Sequence, residues 1–362
     1  MNYLTMQKKF ALIIGGDRGP CQQARFGNWA SLMNSTISGE CEFVFCTSPI
    51  MDPYILAHTA TVVIPRPCLE MHKGNIRRYA ELKKKYRYEI VVDFDDVLWK
   101  IDGKSPLTEY NPSPLNIDES DRVIEESLKW IDRVLCSTEF LAYCFCHRFG
   151  KSWVDRVSVL PNYAFGSLGW EKSVRRKKPL VVYGGSLCHF KDNDHGDFKG
   201  WIEPITTAIE EGVIDFLAFG DDRGVFPEKT LLEPCVDSSM WLATLSNIHP
   251  DIYIAPLQTN LFNKCKSPLK ALEASVTGSA FVASVFPGSP YKPFVPQLCA
   301  VTKDTTADGI VEIFKALKDP VIRKECVKTT RNAVANSCLV AEMKPARDNF
   351  VKTLFGKFVE IV

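Results

Sequence analysis

The sequence predicts an α/β fold made of two consecutive doubly wound parallel sheets, and three observations predict it. Short apolar runs alternate with segments long enough for helices. The alternation breaks once, between Tyr163 and Pro179, and then restarts. At 362 residues the chain is long for a single hydrophobic core, so two domains are expected.

Phe10–Ile14 is apolar and is followed by Gly15-Gly16, the pattern of a first strand and its turn. Cys41–Cys46, Thr61–Ile64 and Ile90–Val92 repeat the short buried-strand pattern, with Glu70–Tyr86 long enough for a helix between two of them. Val134–Cys136 and Val157–Leu160 complete the first series. Tyr163–Pro179 holds three aromatics, two glycines and a basic run at Arg175–Lys178, and reads as a solvated linker between domains. The second series comprises Leu180–Tyr183, Phe216–Phe219, Ile252–Ala255, Ala280–Ala283 and Cys299–Thr302. From Ala307 onward the chain reads as mostly helical, interrupted near Pro320 and Pro345. The expected domains are therefore 1–165 and 179–345. No internal repeat is present.

Composition narrows the function classes. Hydrophobic content of 46% and charged content of 24% are those of an ordinary globular chain. Forty-four basic against 43 acidic residues leave a net charge of +1, so no global basic field points to nucleic acid. No apolar run approaches the roughly 20 residues that span a bilayer. The thirteen cysteines are scattered and odd in number. With a start, M-N-Y-L-T-M-Q-K-K-F, that lacks a signal-peptide core, they lead to the expectation of a reducing cytoplasm and buried thiols. Cys136, Cys144, Cys146 and His147 fit no common zinc spacing, and positions two apart on a helix point away from each other. No metal site is expected.

The richest segment is Asp251 to Ser284. Ile252–Pro256 reads as a buried strand, followed by a polar loop with Asn260, Asn263 and Lys264. A helix is expected to open near Ser267, with Pro268 in its first turn, and to end at Gly278 before the strand Phe281–Ser284. A helix N-terminus at the carboxyl edge of a parallel sheet is an anion site. Lys266 and Lys270 are four apart and share a face, with Glu273 three residues beyond. Ammonium groups and free N–H groups suit a diphosphate, and a carboxylate suits ribose hydroxyls. A solvated helix whose lysines pair with Glu273 is the alternative reading of the same residues.

Other strand ends carry polar clusters. Asp93-Phe94-Asp95-Asp96 is literally a D-x-D, a pattern able to hold a divalent cation, and its carboxylates should raise at least one pKa among them. Gly15-Gly16-Asp17-Arg18-Gly19-Pro20 is not G-x-G-x-x-G, yet it lets a ligand approach backbone closely, with Arg18 and Arg25 nearby. Tyr183-Gly184-Gly185-Ser186 and Phe219-Gly220-Asp221-Asp222 end two strands of the second series.

Lys266, Ser267, Leu269, Lys270, Leu272 and Glu273 form a K-S-x-L-K-x-L-E segment. It resembles the donor-site signature of GT-B glycosyltransferases, in the large retaining group with an E-x7-E motif. Glu273 matches the second Glu; the first falls on Cys265, a departure that leaves the sugar open. Asp93, Asp95, Asp96 and Trp99 match a D-x-D-D-x-x-W stretch seen in such proteins, and Pro161-Asn162 matches a V-x-P-N segment, in the same order along the chain. The resemblance implies two Rossmann-like domains facing a central cleft, with a last helix, here 346–362, crossing back to the first. It implies sugar transfer from a nucleotide sugar, UDP-sugar first, to a hydroxyl with retention, and no cofactor. Gly16, Arg25, Gly184, Gly185, Ser186, Asp221, Lys266, Ser267, Lys270 and Glu273 would bind the donor. Asp17, Arg18, Asp93 and Trp99 would meet the acceptor, with Asp95 and Asp96 catalytic. The compact chain also resembles phage-encoded members, some of which glycosylate hydroxymethylated pyrimidines in DNA. Double-stranded DNA in a host cytoplasm is then one expected acceptor. A polysaccharide or lipid-linked acceptor, a metal-dependent D-x-D transferase and a non-catalytic two-domain binding protein are the alternatives.

Overall fold

In the first half, six apolar runs pair as a wholly parallel sheet: β1 (Phe10–Ile14), β2 (Glu42–Cys46), β3 (Thr59–Pro65), β4 (Glu89–Phe94), β5 (Arg133–Cys136) and β6 (Val157–Val159). Their order is β2-β1-β3-β4-β5-β6. A second parallel sheet follows: β7 (Leu180–Gly184), β8 (Asp215–Phe219), β9 (Leu231–Glu233), β10 (Ile252–Ala255), β11 (Ala280–Ser284) and β12 (Ala300–Val301), in the order β12-β11-β10-β7-β8-β9. This is a computed structural model, and it describes residues 10–14, 22–36, 42–104, 116–166, 168, 176–185, 196–220, 224–341 and 343–355.

The inner strands are apolar along most of their length because helices cover both faces of each sheet. Along β4, Ile90, Val92 and Phe94 enter one core with Trp99 and Phe145, while Val91 enters the other with Trp29 and Phe350. The second sheet is flanked in the same way. Helix Glu70–Tyr86 spans the residues the sequence indicated, and Pro320 opens helix Pro320–Asn336, capped by the Asp319 side chain. Among the described residues no helix is long and apolar enough to cross a membrane.

Of the helix expected over 346–362, residues 356–362 lie outside the described residues; the described part belongs to helix Lys344–Phe355, which packs on the first sheet. The Phe350 ring stacks on Trp29 at 4.3 Å, Phe43 touches both Phe350 and Phe355, and Arg133 donates to the Thr353 carbonyl.

Two elements were not foreseen. β9 is a three-residue edge strand with all its residues exposed, so it has no burial pattern to read. The loop expected after β10 contains a short helix, Leu261–Cys265, capped by Asn260, whose side chain accepts from the Asn263 N–H.

Strand order reverses between β1 and β3 in the first sheet, and between β7 and β10 in the second. In open parallel sheets such switch points open a crevice at the carboxyl ends of the strands. The loops leaving β4, β5 and β6 meet the loop leaving β10, so the two carboxyl edges face each other. Thr138 Oγ1 donates to the Cys265 carbonyl at 3.0 Å, and Phe262 and Cys265 lie within the first half's core.

Candidate active site in the cleft

On the second-sheet side, the helix that carries the K-S-P-L-K-A-L-E segment begins at Leu269, two residues later than expected, with Pro268 at its cap. Gly278 closes it at a left-handed φ of 64°, its N–H donating to the Ala274 carbonyl. Lys270 crosses the β7/β10 switch point. Its ammonium donates to the Gly184 carbonyl and lies 4.7 Å over the Tyr183 ring and 5.8 Å from that of Tyr253. Glu273 is buried beneath it, accepting from Trp241 Nε1 at 2.8 Å and from the Tyr253 hydroxyl at 2.7 Å. Burial raises the Glu273 carboxyl, while Lys270 and these two donors pull it down.

Sequence reasoning did not single out Trp241 and Tyr253, although they hold Glu273. Trp241 and Tyr183 crowd the paired glycines. A Cβ on Gly184 would stand 2.4 Å from the Trp241 ring, and one on Gly185 would stand 2.1 Å from the Tyr183 hydroxyl. A side chain at either position would displace one of these rings, so glycine lets the backbone close over this crevice.

The first-sheet side differs more from the sequence reading. Arg25 was expected to reach a ligand. It is instead 3% exposed, and its guanidinium is spent inside the protein: on both Asp93 oxygens, on the Leu160 carbonyl and on Asn162 Oδ1. Asp93 is likewise 1% exposed, and burial raises its carboxyl against the pull of Arg25. Neither group is open to a donor or acceptor in this arrangement. Trp99, expected at the acceptor, is fully buried among Phe94, Phe145 and Phe149. The D-x-D-D-x-x-W stretch thus divides into an ion-paired anchor, a core tryptophan, and two carboxylates at the cleft.

Those two are Asp95 and Asp96. Arg66, at the end of β3, approaches Asp95 Oδ1 at 3.6 Å and Asp96 Oδ2 at 3.8 Å. Lys266 faces Asp96 from the other half, its ammonium 4.6 Å over the Phe262 ring. Burial raises the Asp96 carboxyl; Lys266 lowers it, Asp95 raises it and Arg66 lowers it. Lys266 and Lys270 therefore do not form one surface stripe, since Lys266 precedes the helix in extended backbone and Lys270 lies within it.

Ser267 ties the two sides together. Asn162 Nδ2 donates to Ser267 Oγ at 2.7 Å, and Asn162 Oδ1 accepts from Arg25. A continuous polar chain therefore runs from Asp93 through Arg25 and Asn162 to Ser267. Cys265 turns away from the donor side, its sulfur 3.8 Å from that of Cys144. Gly16, Asp17, Arg18, Ser186 and Asp221 lie outside the described residues.

No protein-family model matches the chain, and no curated protein matches it in sequence. Solved structures do. HepE from Anabaena, in complex with UDP and glucose, superposes with a TM-score of 0.57 at 11% identity, over 97% of this chain and 100% of that one. The alpha,alpha-trehalose 6-phosphate synthase of Burkholderia multivorans gives 0.54 at 11% identity, over 96% and 98%. The lipopolysaccharide outer core galactosyltransferase WaaB gives 0.52 at 15% identity, over 96% and 99%. At these identities the likeness is one of fold, and the fold is GT-B.

Proposed function

We propose that the chain is a glycosyltransferase that moves a sugar from a nucleotide sugar, UDP-sugar first, to an acceptor hydroxyl. The observation that carries this reading is the meeting, across one cleft, of the Asp95–Asp96 strand end with the segment holding Lys266, Ser267, Lys270 and Glu273. The UDP found in HepE supports the choice of nucleotide. Residues 1–165 would form the acceptor side and 179–345 the donor side, with 346–362 returning to the first.

Lys270 and the Gly184-Gly185 backbone would bind the diphosphate, joined by Lys266 once it leaves Asp96. Glu273 would set the ribose end, either directly or through the Trp241 and Tyr253 groups it holds. Asp95 and Asp96 would orient the incoming hydroxyl. The acceptor oxygen bonds to the anomeric carbon, the diphosphate leaves with the bonding pair, and the hydroxyl proton is released. Positioning and stabilisation of the departing charge supply the rate. Retention of configuration belongs to the resemblance of the K-S-x-L-K-x-L-E segment.

The same reading needs no metal at the D-x-D. Both Asp93 oxygens are taken by Arg25, which leaves that pattern short of a ligand.

For the acceptor we propose two readings: hydroxymethylated pyrimidine in double-stranded DNA in a host cytoplasm, supported by the resemblance to phage-encoded members alone, and a polysaccharide or lipid-linked hydroxyl, favoured by the net charge of +1 and the burial of Arg25. Mass spectrometry of products from UDP-sugars and both acceptors decides between them. A DNA acceptor predicts a mobility shift of hydroxymethylpyrimidine duplex that weakens steeply with salt. No shift at low salt, with transfer to carbohydrate, would overturn the DNA assignment.

A further inference from the structure

Arg66 was not singled out from sequence, yet three features converge on it. It leaves β3 at the β1/β3 reversal, where a doubly wound sheet opens its crevice. Its φ is 47°, left-handed for a bulky side chain and placed just before Pro67. The Asp93 carbonyl holds its N–H at 2.7 Å, fixing that conformation. Backbone strain of this kind persists where surrounding structure over-determines it, and such places cluster at functional sites.

The side chain is then aimed along the strand ends at Asp95 and Asp96. The contrast with Arg25 is direct. The Arg25 side chain is 2% exposed and locked on Asp93, whereas the Arg66 side chain is 33% exposed and stands 3.6–3.8 Å from its two carboxylates. One arginine builds the strand end, and the other faces the cleft.

We propose that Arg66 is a positioning residue of this site, holding Asp95 and Asp96 in place to receive the hydrogen bond of an acceptor hydroxyl. This inference rests on the sugar-transfer reading of the cleft. The charged neighbours that share control are Asp93 and Arg25 behind Asp95 and Lys266 from the facing half, beside the neutral Cys265 thiol. Of these, Arg66 is the cation that spans both carboxylates. Its removal should therefore move their protonation toward higher pH.

The test is a carbon-detected NMR titration of aspartate side chains in the whole chain, comparing wild type, Arg66→Gln and Arg66→Lys, with Asp96→Asn to assign the signals. The expected result is an upward shift of about one pH unit at Asp95 in Arg66→Gln, and a smaller upward shift at Asp96, where Lys266 is the stronger cationic neighbour. Arg66→Lys should restore most of it. The acid limb of kcat should move by the same amount, with affinity for UDP unchanged. Unmoved carboxyl titrations would overturn the proposal. So would a loss of UDP affinity in Arg66→Gln that matches the loss of kcat, because Arg66 would then be a phosphate ligand. If the wild type transfers no sugar, the transferase reading fails, and the carboxyl titrations still decide what Arg66 does.

Discussion

Arg25→Ala should lose about 3–5 kcal/mol of folding stability, because it strands the buried Asp93 carboxylate without its partner. Two acceptors besides Asp93, the Leu160 carbonyl and Asn162 Oδ1, lose a donor in the same step. Asn162 then loses its anchor on the first half while still bound to Ser267. Burial makes the loss large: an exposed pair of the same kind contributes about 0–1 kcal/mol. Replacing both partners with apolar side chains, Arg25→Met with Asp93→Leu, should cost less than Arg25→Ala alone, since no uncompensated charge remains. Urea unfolding of the three proteins measures this. A loss below about 1 kcal/mol for Arg25→Ala would show that the pair is not sealed from water.

Lys270→Ala should cost at least tenfold in affinity for UDP and little in affinity for uridine. A charge-assisted contact to phosphate typically contributes about 1.5–3 kcal/mol, and each 1.4 kcal/mol is about tenfold in the dissociation constant. The ammonium is already placed at the β7/β10 switch point between two tyrosine rings, so little ordering is left for the ligand to impose. Its bond to the Gly184 carbonyl gives the contrasting outcome. If Lys270 only supports the glycine loop, calorimetry will show equal losses for UDP and uridine.

The fold was legible because buried parallel strands write themselves as short apolar runs, and nearly every run became a strand. The exposed three-residue edge strand β9 and the five-residue helix Leu261–Cys265 are too short to carry such a signal. The residues proposed for the donor side could be grouped from sequence because Lys266, Ser267, Lys270 and Glu273 lie close together, although the shared face expected of the two lysines was not found. The first-half site was not legible in this way. Arg25 and Asp93 are 68 residues apart, and nothing local distinguishes a buried paired arginine from a solvated one. The D-x-D-D-x-x-W resemblance implied an acceptor contact for Trp99, but its indole completes an aromatic core. Arg66 escaped notice because left-handed backbone is signalled in sequence chiefly by Gly, Asn or Asp. Trp241 reaches Glu273 only through the packing of helix Trp241–Ile248 against the helix that carries Glu273.

The most direct test of the account is UDP release from UDP-sugars by the purified chain, with and without a hydroxyl acceptor, in the presence of EDTA. The account predicts acceptor-dependent release that survives the chelator and falls at least tenfold in Lys270→Ala at donor concentrations below KM. Release abolished by EDTA and restored by manganese would place the donor on the D-x-D of the first sheet and contradict it. So would the absence of release from every nucleotide sugar despite tight UDP binding, the behaviour of a two-domain binding protein.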